Sequence, residues 1–173
     1  MSQTSPRGTT PVYLTLRMKP PWVFIDEIRR FVESFCACAY TGHNREAQLA
    51  MAVHELMQNA VPNSHDDEVE LTLEVEPESD HVAVSVTNRC TDAEYQALID
   101  KISAMNDEPD ALKHYLKAMQ ETPTVHRGGL GLARVRFEGQ LELSVSRAGG
   151  RLTVHASGPL RPPALQIPPG GSR

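Results

Sequence analysis

Residues 69–86 constrain this chain more than any other stretch. Val69, Leu71, Leu73 and Val75 alternate with Glu70, Thr72, Glu74 and Glu76, and Val82, Val84 and Val86 resume the alternation after Pro77 to Asp80. Period-2 alternation of this kind is a β-strand with one apolar and one wet face. Two such strands joined by so short a turn must run antiparallel, because a parallel connection needs a dozen residues or more. The pattern returns near the end of the chain. Leu141, Leu143 and Val145 form one arm, Leu152, Val154 and Ala156 the other, and Ala148-Gly149-Gly150 the turn. A fifth strand is predicted early, where Val12, Leu14, Leu16 and Met18 alternate with Tyr13, Thr15 and Arg17; Pro20-Pro21 ends it. Each strand has one face to bury, so the sheet needs one covering layer.

Helical spacing supplies that layer. Trp22 to Tyr40 reads as a helix burying Phe24, Ile28, Phe31, Val32 and Phe35, with Asp26 and Glu27 in its early turns, where carboxylates suit the helix dipole. Thr41 to Asn44 breaks it, and Asn44 is placed to cap a second helix from Arg45 to about Val61. Ala47, Leu49, Ala50, Val53, Leu56, Met57 and Ala60 are its expected buried stripe, and Pro62 stops it. Thr91 and Glu94 have capping-box spacing and open a helix to about Asn106, with Tyr95, Leu98, Ile99, Ile102 and Met105 at helical intervals. Pro109 suits the first position of a helix to Gln120 that buries Leu112, Tyr115, Leu116 and Met119. A loop follows to Arg127, then a glycine cluster running into a short helix that ends near Gly139. The expected fold is α/β: a two-layer sandwich with a mixed, mostly antiparallel sheet of about five strands and helices on one face. Residues 1–10 read as a loose arm, 11–158 as one domain and 159–173 as a disordered Pro/Gly-rich tail.

Composition narrows the function classes. With 173 residues the chain can close one sizeable core, and with 40% hydrophobic but 5% aromatic residues that core should be aliphatic. A net charge of −5 and the lack of a basic stripe argue against nucleic acid as partner. No apolar run resembles a signal peptide or reaches the length of a membrane span, so a soluble, cytoplasmic protein is expected. The three cysteines, Cys36, Cys38 and Cys90, are an odd number and read as reduced thiols. Cys36 and Cys38 lack a second ligand pair at zinc-site spacing, and the seven histidines form no catalytic cluster.

Two stretches carry chemistry. On the second helix Glu55 and Asn59 are four apart and share a side, opposite Val53, Leu56, Met57 and Ala60. Alone, they are a carboxylate and a carboxamide on the wet face of an amphipathic helix. Far downstream stands Gly128-Gly129-Leu130-Gly131-Leu132. Glycines before a helix let backbone N–H groups approach a phosphate, and the helix N-terminus adds positive dipole.

Taken in order, these stretches resemble the histidine-kinase-like ATPases (the GHKL superfamily). Glu55-x-x-x-Asn59-Ala60 is similar to the N box of that family and Gly129-Leu130-Gly131-Leu132 to its second glycine box. The small size is most similar to the bacterial anti-sigma-factor serine kinases. Within those, the Val86-Thr87-Asn88 strand end, the helical insert from Leu98 to Met119 and Gly128 to Leu132 are similar to a divergent set of stand-alone regulatory kinases with STAS-like partners. The resemblance spans Val12 to Ala156 and implies a Bergerat-type ATP-binding fold. It implies that Asn59 ligates Mg²⁺ on ATP, that Glu55 positions or deprotonates the attacking hydroxyl, and that Gly128, Gly129, Gly131 and Leu132 cradle phosphates. Arg127 or Arg134 would add a positive charge there, or is an ordinary surface arginine. The implied partner is a STAS-like or sigma-factor-like regulator, and a homodimer through the first strand is plausible in such proteins. Three features depart from the family pattern, one being that Pro62-Asn63-Ser64 stands after Asn59 where a basic residue is typical. The first glycine box is absent, its place taken by Asn88-Arg89-Cys90-Thr91-Asp92, and Asn88 stands where an aspartate would hold the adenine amino group. A degenerate member that grips a protein partner without ATP is the alternative reading.

Overall fold

The computed structural model describes residues 10–19, 21–39, 45–65, 68–121 and 130–161. Among the described residues, five strands and five α-helices follow one another as β1 (Val12–Met18), α1 (Phe24–Ala39), α2 (Glu46–Ala60), β2 (Val69–Glu76), β3 (His81–Arg89), α3 (Asp92–Asn106), α4 (Ala111–Glu121), α5 (Leu130–Phe137), β4 (Glu142–Ala148) and β5 (Arg151–Pro159). The strands form one sheet in the order β1-β2-β3-β5-β4. Every neighbouring pair is antiparallel, so the sheet is not mixed among the described residues. β3 lies beside β5 although three helices and β4 separate them in sequence, and that excursion brings Gly131 of α5 against α2.

The alternation seen in the sequence sets the faces. Val69, Leu71, Leu73 and Val75 of β2 and Val82, Val84 and Val86 of β3 are buried, while their neighbours are half-exposed. The β4–β5 turn uses Gly149 and Gly150, both at positive φ (57° and 75°), the pair of left-handed residues that matches strand twist in a two-residue hairpin. The capping box also forms: the Thr91 side chain accepts from the Glu94 N–H, and the Glu94 carboxylate accepts from the Thr91 N–H. α5 ends beside Gly139, whose N–H donates to Arg134 O.

Several expectations are corrected. α1 buries Ile25, Ile28, Val32 and Cys36, whereas Phe24 and Phe31 stay about half exposed. Apolar residues cover more than half of this helix, so periodicity alone does not fix which line faces the sheet. On α2, Ala47 is exposed and Ala52 is buried instead. α4 buries none of its expected residues fully: Leu116 and Met119 are 48% and 51% exposed, because the helix packs mainly on α5 rather than on the sheet. β5 runs through Pro159, and Leu160 is fully buried with its N–H bonded to Asp80 O. The packed chain therefore extends past the expected boundary at residue 158. Asn44, the expected cap of α2, lies outside the described residues, as do residues 1–9 and 162–173. Among the described residues no helix is long and apolar enough to cross a membrane.

One buried charge ties the frame together. Arg45, just before α2, is 1% exposed and donates to Gly139 O (2.7 Å), Pro159 O (3.1 Å) and Gln48 Oε1 (3.0 Å). It joins the start of α2 to the end of α5 and the end of β5, which fixes α2 and α5 side by side.

Candidate functional site

α2 packs on α1, α5 and the sheet, with Leu49, Ala50, Val53, Leu56, Met57 and Ala60 all buried. That leaves Glu55 and Asn59 on the flank, towards α5 and α3. A single 3₁₀ turn, Val61–Asn63, continues α2 past Pro62 and brings Asn63 to the end of β3. There Asn88, 3% exposed, donates from Nδ2 to Asn63 O (3.1 Å) and Arg89 O (3.2 Å). Both N–H bonds of the amide are thus engaged, and Oδ1 is its remaining acceptor. Asn59 is oriented in a similar way, its Nδ2 donating to Glu55 O at 2.8 Å, which again leaves Oδ1 as an acceptor.

Asn59, Asn63 and Asn88 line one cavity of about 270 Å³. Its walls are Leu56, Ala60, Leu98, Leu152 and Val154, and its rim includes Glu94 and Lys101. Small-molecule sites generally run from roughly 300 to 1,000 Å³, so this space stands at the lower edge of that range and is small for a whole nucleotide. Glu94 is occupied: its Oε2 accepts from Thr91 N and is 2.8 Å from His65 Nε2. Burial pushes the Lys101 ammonium below its ordinary value, although the residue as a whole is exposed. Burial also raises the thiol of Cys90, which the nearby Arg147 guanidinium partly offsets.

Glu55 faces the other way along the same flank. Its side chain is 12% exposed, and its Oε1 is 3.1 Å from Arg134 Nη1 on α5. Oε2 lies against Gly131: a Cβ at that position would stand 2.6 Å from it, so a larger residue there would displace the carboxylate. Arg134 Nε also donates to Glu138 Oε2 (3.0 Å), and Tyr115 Oη donates to Glu138 Oε1 (2.8 Å). Burial alone would lower the Arg134 pKa, but its bonds to Glu138 and Glu55 outweigh this and raise it, so it stays charged.

The structure therefore joins the expected residues in two groups. Asn59 and Asn88 share the cavity; Glu55 and Gly131 touch each other beside it. Leu132 is 1% exposed and its side chain belongs to the core, so only its backbone N–H is left to meet a ligand. Gly128, Gly129 and Arg127 lie outside the described residues. Arg134, read from sequence as a phosphate-side charge or a surface arginine, is committed to two carboxylates. No cluster of three or more His, Cys, Asp or Glu side chains suited to a metal occurs among the described residues. A cation here would rely on the Asn59 carboxamide oxygen and on oxygens of its own ligand, which suits a hard ion such as Mg²⁺. Glu138, Tyr115 and Lys101 were not marked by any motif; of these, only the helical offset of Lys101 from Glu94 and Leu98 places it on one wall.

A chain in the crystal structure of the SiaB-SiaC complex from Pseudomonas aeruginosa has a similar fold, with a TM-score of 0.68 and 16% sequence identity over 83% of this chain and 88% of that one. At that identity the likeness establishes fold alone. No family model matches the chain, and no curated protein matches it.

Proposed function

We propose that the chain is a histidine-kinase-like, ATP-binding regulator of a bacterial partner-switching system, which transfers a phosphoryl group from Mg-ATP to a serine or threonine of a STAS-like partner. The observation that carries this reading is the cavity shared by Asn59 and Asn88, with each amide held by backbone carbonyls so that its oxygen is left as acceptor. In this reading the apolar walls enclose adenine and Asn88 Oδ1 accepts from its amino group. Asn59 Oδ1 ligates Mg²⁺, and the backbone at the start of α5 meets the phosphates, which the small cavity leaves outside. Glu55 receives the proton of the attacking hydroxyl. Bound Mg²⁺ would neutralise phosphate charge as the phosphoryl group transfers. The fold likeness to a chain of a two-protein complex is consistent with a protein as acceptor.

Thermal unfolding with Mg-ATP tests the proposal. A ligand at about a hundred times its Kd adds about 2.7 kcal/mol to a native state that alone binds it. Wild type should show a clear upward shift in Tm, Asn59→Ala should lose the Mg²⁺-dependent part, and Glu55→Ala should keep affinity while transfer falls. No shift at millimolar Mg-ATP would remove the ATP reading.

One observation favours a second reading. Where a glycine loop would open the base pocket, β3 continues to Arg89, pairing Asn88 with Leu152 and Arg89 with Arg151. A chain with that pocket narrowed would serve as a protein-binding module, and Asn59→Ala would then leave partner affinity unchanged.

A further inference from the structure

We infer that Arg134 is a positioning residue for Glu55: it fixes one carboxylate oxygen so that the other is presented beside Gly131. This rests on the phosphoryl-transfer reading above. A carboxylate on a helix flank can ordinarily rotate and offer either oxygen. Here Oε1 is taken by Arg134 Nη1 at 3.1 Å, and Oε2 is wedged against α5 where Gly131 has no side chain. The surrounding contacts oppose release of the clamp. Arg134 is held a second time by Glu138 through Nε, and Glu138 is held by the Tyr115 hydroxyl. The Tyr115 ring stacks on Phe137 at 5.3 Å between centroids, so α4 and α5 carry this chain of contacts as one unit. These two contacts engage Nη1 and Nε, and moving the guanidinium bodily would break both at once. The role that its observed contacts give it is to orient the proton acceptor. In the transfer, the attacking hydroxyl or water oxygen bonds to phosphorus as the bond to the diphosphate leaving group breaks. Its proton passes to Glu55 Oε2 and from there to solvent. A misplaced acceptor of this kind costs rate without costing affinity.

The test compares wild type with Arg134→Ala, Arg134→Lys, Glu55→Gln and the double variant Arg134→Ala/Glu55→Gln. ADP release from Mg-ATP, with water as acceptor, gives kcat, and calorimetry gives the Kd for Mg-ATP. Arg134→Ala should lower kcat by about tenfold or more and leave Kd within about twofold. Arg134→Lys should recover part of the rate, since one ammonium can still hold Oε1. The double variant should be no slower than Glu55→Gln alone, because the two substitutions remove one function. Tyr115→Phe, which leaves both charges in place, should shift kcat the same way by a smaller factor and serves if Arg134→Ala does not fold. Additive losses in the double variant would overturn the assignment, and so would a Kd that weakens as much as kcat falls. A wild type that binds no Mg-ATP removes the parent reading and this inference with it. That failure appears before any substitution is made, so the two are distinguishable.

Discussion

Asn88 and Glu55 mark the two ends of the same flank, and they meet their surroundings in opposite ways. At the Asn88 end, neutral amides donate to backbone carbonyls and the space beside them is left as a cavity. At the Glu55 end, a carboxylate with 12% of its side chain exposed is closed in by Arg134 and Gly131. The difference follows from solvation. A neutral amide oxygen at a cavity wall can be satisfied by water or a ligand at little cost, whereas a carboxylate withdrawn from water needs a counter-charge fixed in place. One end can wait for a ligand; the other must carry its own partner. Both are held by the same frame, since Arg45 pins α2 to the end of α5.

The comparison breaks most visibly at Asn88. If the Asn88 end is held by donated N–H bonds, Asn88→Asp replaces a donor with an anionic oxygen facing Asn63 O and Arg89 O in a residue 3% exposed. The expected loss is about 3 kcal/mol or more, above that of Asn88→Ala, which leaves two carbonyls without a donor at about 1–3 kcal/mol. Urea unfolding midpoints at neutral pH would show it. An aspartate variant as stable as wild type would mean that the amide orientation does not hold this end. An aspartate at this position would then be interchangeable with Asn88.

The Glu55 end gives the next effect. Arg134→Ala leaves a largely buried carboxylate without its counter-charge, but Arg134 is itself 41% exposed and water can replace part of it. A loss of about 1–2 kcal/mol is expected. Asn59→Ala, one turn away at the neutral end, should cost under about 1 kcal/mol in the same assay, because it removes a single bond to a helix carbonyl. Equal losses would erase the contrast between the ends.

Much of the frame was legible because it rests on local rules. Alternation over Val69–Val86 gave two strands and their buried face, Gly149-Gly150 gave the tight turn, and Thr91 with Glu94 gave the start of α3. The helix faces were harder. Phe24 and Phe31 are as apolar as Ile25, Ile28 and Val32, yet only the latter three are buried, because the choice depends on the shape of partners distant in sequence. α4 reads as amphipathic but packs mainly on a short helix, so its outer apolar residues remain exposed. In the site, Glu55 and Asn59 were legible from spacing and Gly131 from the glycine cluster. Arg45 and Tyr115 were not, since their bonds to Gly139 and Glu138 reach 23 or more residues away, and no motif marked Glu138 although it stands four residues from Arg134.

The smallest effect tests whether the cavity end is neutral at all, and it concerns Glu94. This carboxylate lines the cavity, yet its Oε2 accepts from Thr91 N (2.8 Å) and Thr91 Oγ1 (2.8 Å), with His65 Nε2 also at 2.8 Å. The Thr91 N–H and then the Thr91 hydroxyl hold its pKa below the ordinary glutamate value; burial opposes them and His65 adds to them. A depressed pKa in the folded state means that the ionised form stabilises the fold. That contribution is complete above the unfolded-state value of about 4.3 and is lost as pH falls through the lower folded value. A carboxylate at a helix N-terminus contributes about 0.3–1 kcal/mol. Glu94→Gln should therefore lower Tm slightly at pH 7, and the gap to wild type should close as pH falls to about 3. A gap that persists at low pH, or none at neutral pH, would show that Glu94 is not consumed by the helix cap. The cavity would then present a free carboxylate to whatever enters it, and the two ends of the site would be charged alike.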